Sequence, residues 1–234
     1  KTSDDELSNL ILKVREKKIH GINVTVPLKK NIIPYLDYLS PESEKTQSVN
    51  TIYLENNKII GHNTDIEGFE YSIKEKKLNI TNKKVLILGA GGVVPSIIFA
   101  LKKMKASEII ISNRTKNKAE NLKDLFKNLK IIDWGEVPDF DIIINATSIG
   151  LKKEDKMDLN FSNIGKNKFF YDVIYKPNET NFLKIGKKLG NRTENGKLMF
   201  IYQALAAFKV WHEIEPNINK QVFEILDQWL RLEF

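Results

Sequence analysis

Cysteine is absent from all 234 residues, which excludes disulfides and thiolate metal centres. Histidine is scarce. His20, His62 and His212 stand apart without ligand-spaced partners, so no metal is expected. The sequence carries neither an apolar run of bilayer length nor a leader-like opening, and a soluble, cytoplasmic protein free of membranes is the expectation. A concentrated basic block is also lacking. The net charge of +7, from 37 Lys+Arg against 30 Asp+Glu, is spread through every segment, which argues against a nucleic-acid partner. Such a diffuse positive field would still help attract a phosphate-rich small molecule. What is present, 41% hydrophobic residues, suffices for one large core or two modest ones.

Three Asn/Thr-centred segments cluster early: Asn23-Val24-Thr25-Val26-Pro27-Leu28-Lys29, Val49-Asn50-Thr51 and Asn63-Thr64-Asp65. Their small neutral hydrogen-bonding groups suit a polyhydroxylated substrate. Lys29 and Asp65 end two of these segments, where a proton-transfer pair could form. The elements around them read β-α-(α)-β-β-α. Ser3-Asp4-Asp5-Glu6 forms a capping box before a helix carrying Leu7, Leu10, Ile11 and Val14. Gly21 to Val26 reads as a strand stopped by Pro27, and Leu28 to Leu39 as a helix shortened by Pro34. Ser40-Pro41 opens a short helix over Glu42 to Thr46. Thr51 to Leu54 and Lys58 to Gly61 pair as a hairpin about Asn56-Asn57. Asp65 is expected to cap the helix through Phe69, Tyr71 and Ile73. Lys29, Asn50 and Asp65 then fall at strand ends, where ligands collect in open α/β sheets.

Val85-Leu86-Ile87-Leu88 is apolar throughout, as expected of a parallel strand covered on both faces. Gly89-Ala90-Gly91-Gly92 follows at once, then a helix from Pro95 to Met104. Glycine lets the backbone approach a pyrophosphate, and the helix start offers free N–H donors. Val94 stands where the dinucleotide fingerprint has its third glycine, and is expected to hold the helix slightly farther from the sheet. The next strand, Glu108 to Ser112, ends in Asn113-Arg114-Thr115 rather than in an acidic residue. A carboxylate there would bind a free ribose 2′-hydroxyl and repel a 2′-phosphate. Arg114 favours the phosphate, with Lys118 one helical turn beyond, so NADP(H) rather than NAD(H) is expected.

Asp141 to Asn145 and Phe169 to Ile174 read as further strands. The first leads into the small-residue loop Ala146 to Gly150, the second into Tyr175 and Pro177. A helix after Thr180 runs to Leu189, and Leu198 to Trp211 and Val222 to Leu232 are amphipathic helices at the end. Gln203 is polar in an otherwise apolar run. It is either a satisfied core amide or a substrate ligand.

In order, the chain shows N-V-T-x-P-x-K, V-N-T, N-T-D, G-x-G-G, N-R-T, N-A-T-S-x-G, D-x-x-Y-x-P and G-x-x-M-x-x-x-Q, the last as Gly196 to Gln203. From about Leu7 to the end, this ordered set resembles the shikimate dehydrogenase family. The resemblance implies NADPH-dependent reduction of 3-dehydroshikimate to shikimate, in aromatic amino acid biosynthesis, with Lys29 and Asp65 as the catalytic pair. It implies substrate contacts from Thr25, Asn50, Asp65, Tyr175 and Gln203. Cofactor contacts are implied for Gly89, Ala90, Gly91, Gly92, Val93, Asn113, Arg114, Thr115, Lys118, Val173 and Gly196.

The implied fold class is α/β in two domains, a substrate-binding domain over 1–66 and 202–234 and a Rossmann-like domain over 67–201. The last helices return to the first domain and bring Gln203 to face Lys29. A monomer or homodimer is expected. In the family, two serines on the loop after the first strand bind the substrate carboxylate. That segment has no counterpart here, so the sequence is expected to be a piece of an ordinary, longer member. Two alternatives stand beside this reading. One is a quinate/shikimate dehydrogenase that also uses NAD(H), against which Arg114 argues. The other is a catalytically silent ligand-binding homologue, against which retention of both Lys29 and Asp65 argues.

Overall fold

The computed structural model describes residues 4–152 and 154–231; Ser3, part of the expected capping box, and Leu232, an expected helix end, lie outside them. The first elements are helix α1 (Asp4–Arg15), strands β1 (Gly21–Asn23) and β2 (Tyr38–Leu39), helix α2 (Pro41–Thr46) and strands β3 (Thr51–Glu55) and β4 (Lys58–His62). The strands form one sheet in the order β1-β3-β4-β2, with β3 antiparallel to β1 and β4, and β2 parallel to β4. Leu7, Ile11 and Val14 of α1 lie in one core with Ile52 and Ile59 of the sheet. Asn56 and Asn57 both take positive φ (48° and 59°), the pairing a two-residue hairpin turn of primed hand requires.

Three local expectations fail. Leu28 to Leu39 is not an α-helix. It runs through turns into a short 3-10 segment, Ile33–Tyr35, and then into β2. Pro34 has no N–H to continue a helix, and the chain beyond it gains sheet bonds instead, from Asp37 N to Ile59 O (2.9 Å) and from Ser40 N to Gly61 O (2.8 Å). The first strand ends at Asn23, although Val24 N still donates to Asn50 O at 2.8 Å. The helix cap at 63–65 is Asn63, whose side chain accepts from Asp65 N; Asp65 sits inside the first turn.

Helix α3 (Thr64–Glu75) leads to the second sheet. Its elements are β5 (Lys84–Leu88), α4 (Val94–Lys103), β6 (Glu108–Ser112), α5 (Lys116–Glu120), β7 (Leu129–Ile132), β8 (Ile142–Asn145), β9 (Phe169–Asp172), α6 (Asn181–Lys188) and β10 (Arg192–Glu194). All six strands are parallel, in the order β10-β9-β8-β5-β6-β7. This is the doubly wound arrangement with its switch point between β5 and β8. Val85, Ile87, Ile109, Ile111, Ile142 and Ile144 face one core beneath α3 and α4. Leu86, Leu88, Ile110, Ile143 and Phe170 face the other, against Phe161, Phe182 and Leu183. Burial on both faces is why these strands read as unbroken apolar runs. Val94 is fully buried in the first of these cores.

The chain ends in α7 (Lys197–His212) and α8 (Lys220–Arg231). Helices α3 and α7 lie side by side because Gly68 has no side chain; a Cβ there would come within 2.7 Å of Met199 O and 2.8 Å of Gln203 Cβ. Farther along, the Trp211 indole N–H donates to Ile52 O of β3 (3.0 Å), so α7 reaches the first sheet as expected. Phe69 of α3 meets Tyr171 of β9 edge to face, and the Tyr171 hydroxyl bonds with Ser72 at 3.0 Å. Together α3 and α7 join the two sheets.

Candidate active site

Lys29 and Asp65, distant in sequence, form a buried ion pair with Nζ 2.5 Å from Oδ2. Lys29 arrives on the turn after β1, and its carbonyl accepts from Val49 N at 2.9 Å, tying that turn to the segment before β3. Asp65 is delivered by the first turn of α3, where helix N–H groups favour a carboxylate. Its other oxygen, Oδ1, accepts from Asn50 Nδ2 (3.1 Å). Asn50 also reaches Thr64 Oγ1 (3.0 Å) and Gln203 Oε1 (3.5 Å), while its own Oδ1 accepts from Thr64 N (2.8 Å). Lys29, Asn50, Asp65 and Gln203 are thus brought together. Gln203 joins through Asn50 rather than by bonding Lys29, and its amide donates to Phe200 O at 3.0 Å. Thr25 is exposed on the turn between β1 and Lys29. Tyr175 stacks on Phe200, with ring centres 4.5 Å apart, one turn before Gln203 on α7.

The nucleotide side has few side-chain groups. Gly89 follows β5 directly with φ +108°, and a Cβ there would stand 2.8 Å from Ala146 O, so only glycine fits. The N–H groups of Ala90, Gly91, Gly92 and Val93 have no protein acceptor among the described residues. They ring the start of α4, the arrangement that binds phosphate oxygens. Gly196 packs so closely on the Val173 carbonyl that any side chain would collide with it, and its N–H donates to Ile174 O (3.1 Å). At the end of β6, Asn113 Nδ2 donates to Thr115 O (2.7 Å) and shapes the turn. Arg114 and Lys118 are exposed and make no ion pair with any described residue, leaving both cations free for an anionic group. Free N–H groups, a glycine cradle and unpaired cations fit a dinucleotide carrying an extra phosphate.

The two sides touch. The Lys29 stem lies beside Gly92, with Cδ 3.9 Å from where a Gly92 side chain would begin. Ser48 Oγ donates to Gly92 O (3.3 Å), and Asn63 Nδ2 donates to Ser48 O (3.0 Å) and Ser96 Oγ (2.9 Å). Asn63 therefore caps the helix bearing Asp65 and fastens it to the first turn of α4. In the sequence Asn63 stands out only as part of the N-T-D motif, and Ser48 and Ser96 carry no signal at all. Nothing in local spacing marks a serine in an apolar helix as a bridge to another sheet.

Comparisons with known proteins agree with this geometry. Residues 1–52 match the family described as shikimate dehydrogenase substrate binding domain, and residues 72–174 match shikimate / quinate 5-dehydrogenase. The NADP(+) shikimate dehydrogenase of Pelagibacter ubique is 60% identical over 222 residues, covering 95% of this chain and 84% of that protein. The crystal structure of the Aquifex aeolicus shikimate dehydrogenase superposes with a TM-score of 0.86 at 36% identity, over 98% of this chain and 84% of that one. The Thermus thermophilus enzyme, in complex with NADP(H) and shikimate, gives 0.84 at 29% identity, over 92% and 81%. The chain belongs to the shikimate dehydrogenase family.

Proposed function

We propose that this chain reduces 3-dehydroshikimate to shikimate, with NADPH as hydride donor. One observation carries the reading: a buried Lys–Asp pair stands directly against a phosphate-binding glycine turn. When bound, the cofactor supplies a hydride to the ketone carbon. The oxygen left with negative charge needs a proton, and Lys29 Nζ is the group that holds one beside the turn. Asp65 keeps the ammonium oriented through Oδ2, and Asn50 fixes Asp65 through Oδ1. The pair is shielded from water, which strengthens its effect on developing charge. Solvent then returns the proton to Lys29.

Thr25, Asn50, Asp65, Tyr175 and Gln203 are assigned to the substrate. Gly89 to Val93, Val173 and Gly196 are assigned to the pyrophosphate and nicotinamide side, and Asn113 to Thr115 with Lys118 to the 2′-phosphate. The domain division at 66/67 and 201/202 falls within α3 and α7, the two helices shared by both sheets. A monomer or homodimer, working in the cytoplasm, completes the reading. No helix among the described residues is long and apolar enough to cross a membrane.

The test is direct. The protein should consume NADPH in the presence of 3-dehydroshikimate much faster than NADH. Equal rates would overturn the cofactor assignment, and no turnover with either would overturn the activity.

A further inference from the structure

The D-x-x-Y-x-P motif that contains Tyr175 begins with Asp172, a residue the mechanism above leaves unused. Asp172 closes β9 and is completely buried. Its Oδ1 accepts from Ile174 N (3.0 Å) and from Asn145 Nδ2 (3.1 Å), and its Oδ2 accepts from Thr180 Oγ1 (2.6 Å). Each donor belongs to a different segment of the chain. Ile174 leads straight to Tyr175. Asn145 ends β8 and holds the following loop, donating to Ile149 O (3.0 Å) and accepting from Thr147 N (3.1 Å) and Oγ1 (2.7 Å). That loop contains the Ala146 carbonyl against which Gly89 is pressed. Thr180 caps α6 by accepting from Leu183 N.

We propose that Asp172 is a positioning residue: its Oδ1 fastens the segment carrying Tyr175 to the loop after β8, setting the substrate tyrosine against the glycine turn. The inference rests on the assignment of Tyr175 to the substrate. A buried carboxylate without a cation is costly, and none among the described residues faces this one. Its partners on β8, on the end of β9 and on α6 are all neutral, and the ionisable neighbour Tyr171 is a buried phenol bonded to Ser72. Burial pushes the Asp172 carboxyl up to about 6, against the opposing pull of Thr180, Ile174 and Asn145. A group retained at that cost, with donors from three separate segments, holds geometry that packing alone does not.

The test compares steady-state constants and melting temperatures of five variants. Asp172→Ala should raise KM for 3-dehydroshikimate about tenfold, the scale of one lost buried hydrogen bond. Asp172→Asn keeps an accepting oxygen at the Oδ1 position and should stay within about threefold of the parent, because only the acceptor is needed. Thr180→Val removes the α6 cap and should lower the melting temperature while leaving KM unchanged. An unchanged KM in Asp172→Ala overturns the proposal, as does a Thr180→Val variant matching its rise. Should Asp172→Ala not fold, Asn145→Ala probes the same joint from its other end; the same rise supports the proposal and an unchanged KM overturns it. Tyr175→Phe separates the two readings. If it alone raises KM, positioning by Asp172 fails; if it leaves KM unchanged, the substrate assignment of Tyr175 fails and the proposal with it.

Discussion

The two halves of the proposed site are built by opposite means. The substrate half is dense with side chains: Lys29, Asn50, Thr64, Asp65 and Gln203 bond to one another, and nearly every polar atom has a partner. The nucleotide half is mostly bare backbone, with glycines where side chains would collide and N–H groups without protein acceptors among the described residues. A side-chain network can discriminate hydroxyl positions and move a proton. A backbone cradle binds phosphate oxygens, which need donors and close approach but little discrimination. Substitutions in the first half should therefore be felt in turnover or substrate affinity, and those in the second in cofactor affinity.

The contrast can be broken at four places, from the largest effect to the smallest. Asp65→Asn leaves Lys29 without its counter-charge, and kcat should fall by about 10²–10⁴ with little change in KM for NADPH. Asp172, a buried acid on the nucleotide side, should show itself in stability as well as in KM for 3-dehydroshikimate. Its folded-state value of about 6 lies above the ordinary 3.8, so between those values the native state keeps a proton the unfolded chain releases. Its contribution to stability is full below that window and lost as pH rises through 6. Denaturant titrations of Asp172→Asn against the parent at pH 4 and pH 7.5 should show the variant gaining about 2 kcal/mol in relative stability at the higher pH. Arg114→Ala should raise KM for NADPH by about 10–100-fold and leave KM for NADH unchanged, because only the 2′-phosphate meets the guanidinium. Gln203→Ala should raise KM for 3-dehydroshikimate only a few-fold, about 1 kcal/mol, since Asn50 keeps its other partners.

The same contrast explains what the sequence disclosed. The nucleotide half was legible because its signals are local: an apolar strand, glycines and a helix start in unbroken succession. The Glu108–Ser112 strand and the turn at Arg114 stand where the pattern puts them. The Asn56-Asn57 hairpin was legible for the same reason, since two residues tolerant of positive φ lie between strands. The substrate half was legible as a set of residues but not as a geometry. Lys29 and Asp65 stand out as a pair, yet residues 28–39 do not follow the helix their sequence suggests. Pairing of β2 with β4 decides it, and that is a contact between segments some twenty residues apart. Asn63 displaced Asp65 as the helix cap because the carboxylate is engaged by Lys29 and Asn50. The bridge through Ser48 and Ser96, and the neutral cage around Asp172, join residues that only the fold brings together. Strands β7 and β10 carry charged residues at a sheet edge and gave no apolar run to follow.

The central claim is that Lys29 acts on the developing charge at the substrate oxygen rather than on binding. Steady-state kinetics of Lys29→Ala with 3-dehydroshikimate and NADPH, with kcat and KM resolved separately, address it most directly. The account predicts a kcat lowered by about 10²–10⁴ with KM for 3-dehydroshikimate within a few-fold of the parent. A large rise in KM with normal kcat would make Lys29 a binding residue and contradict it.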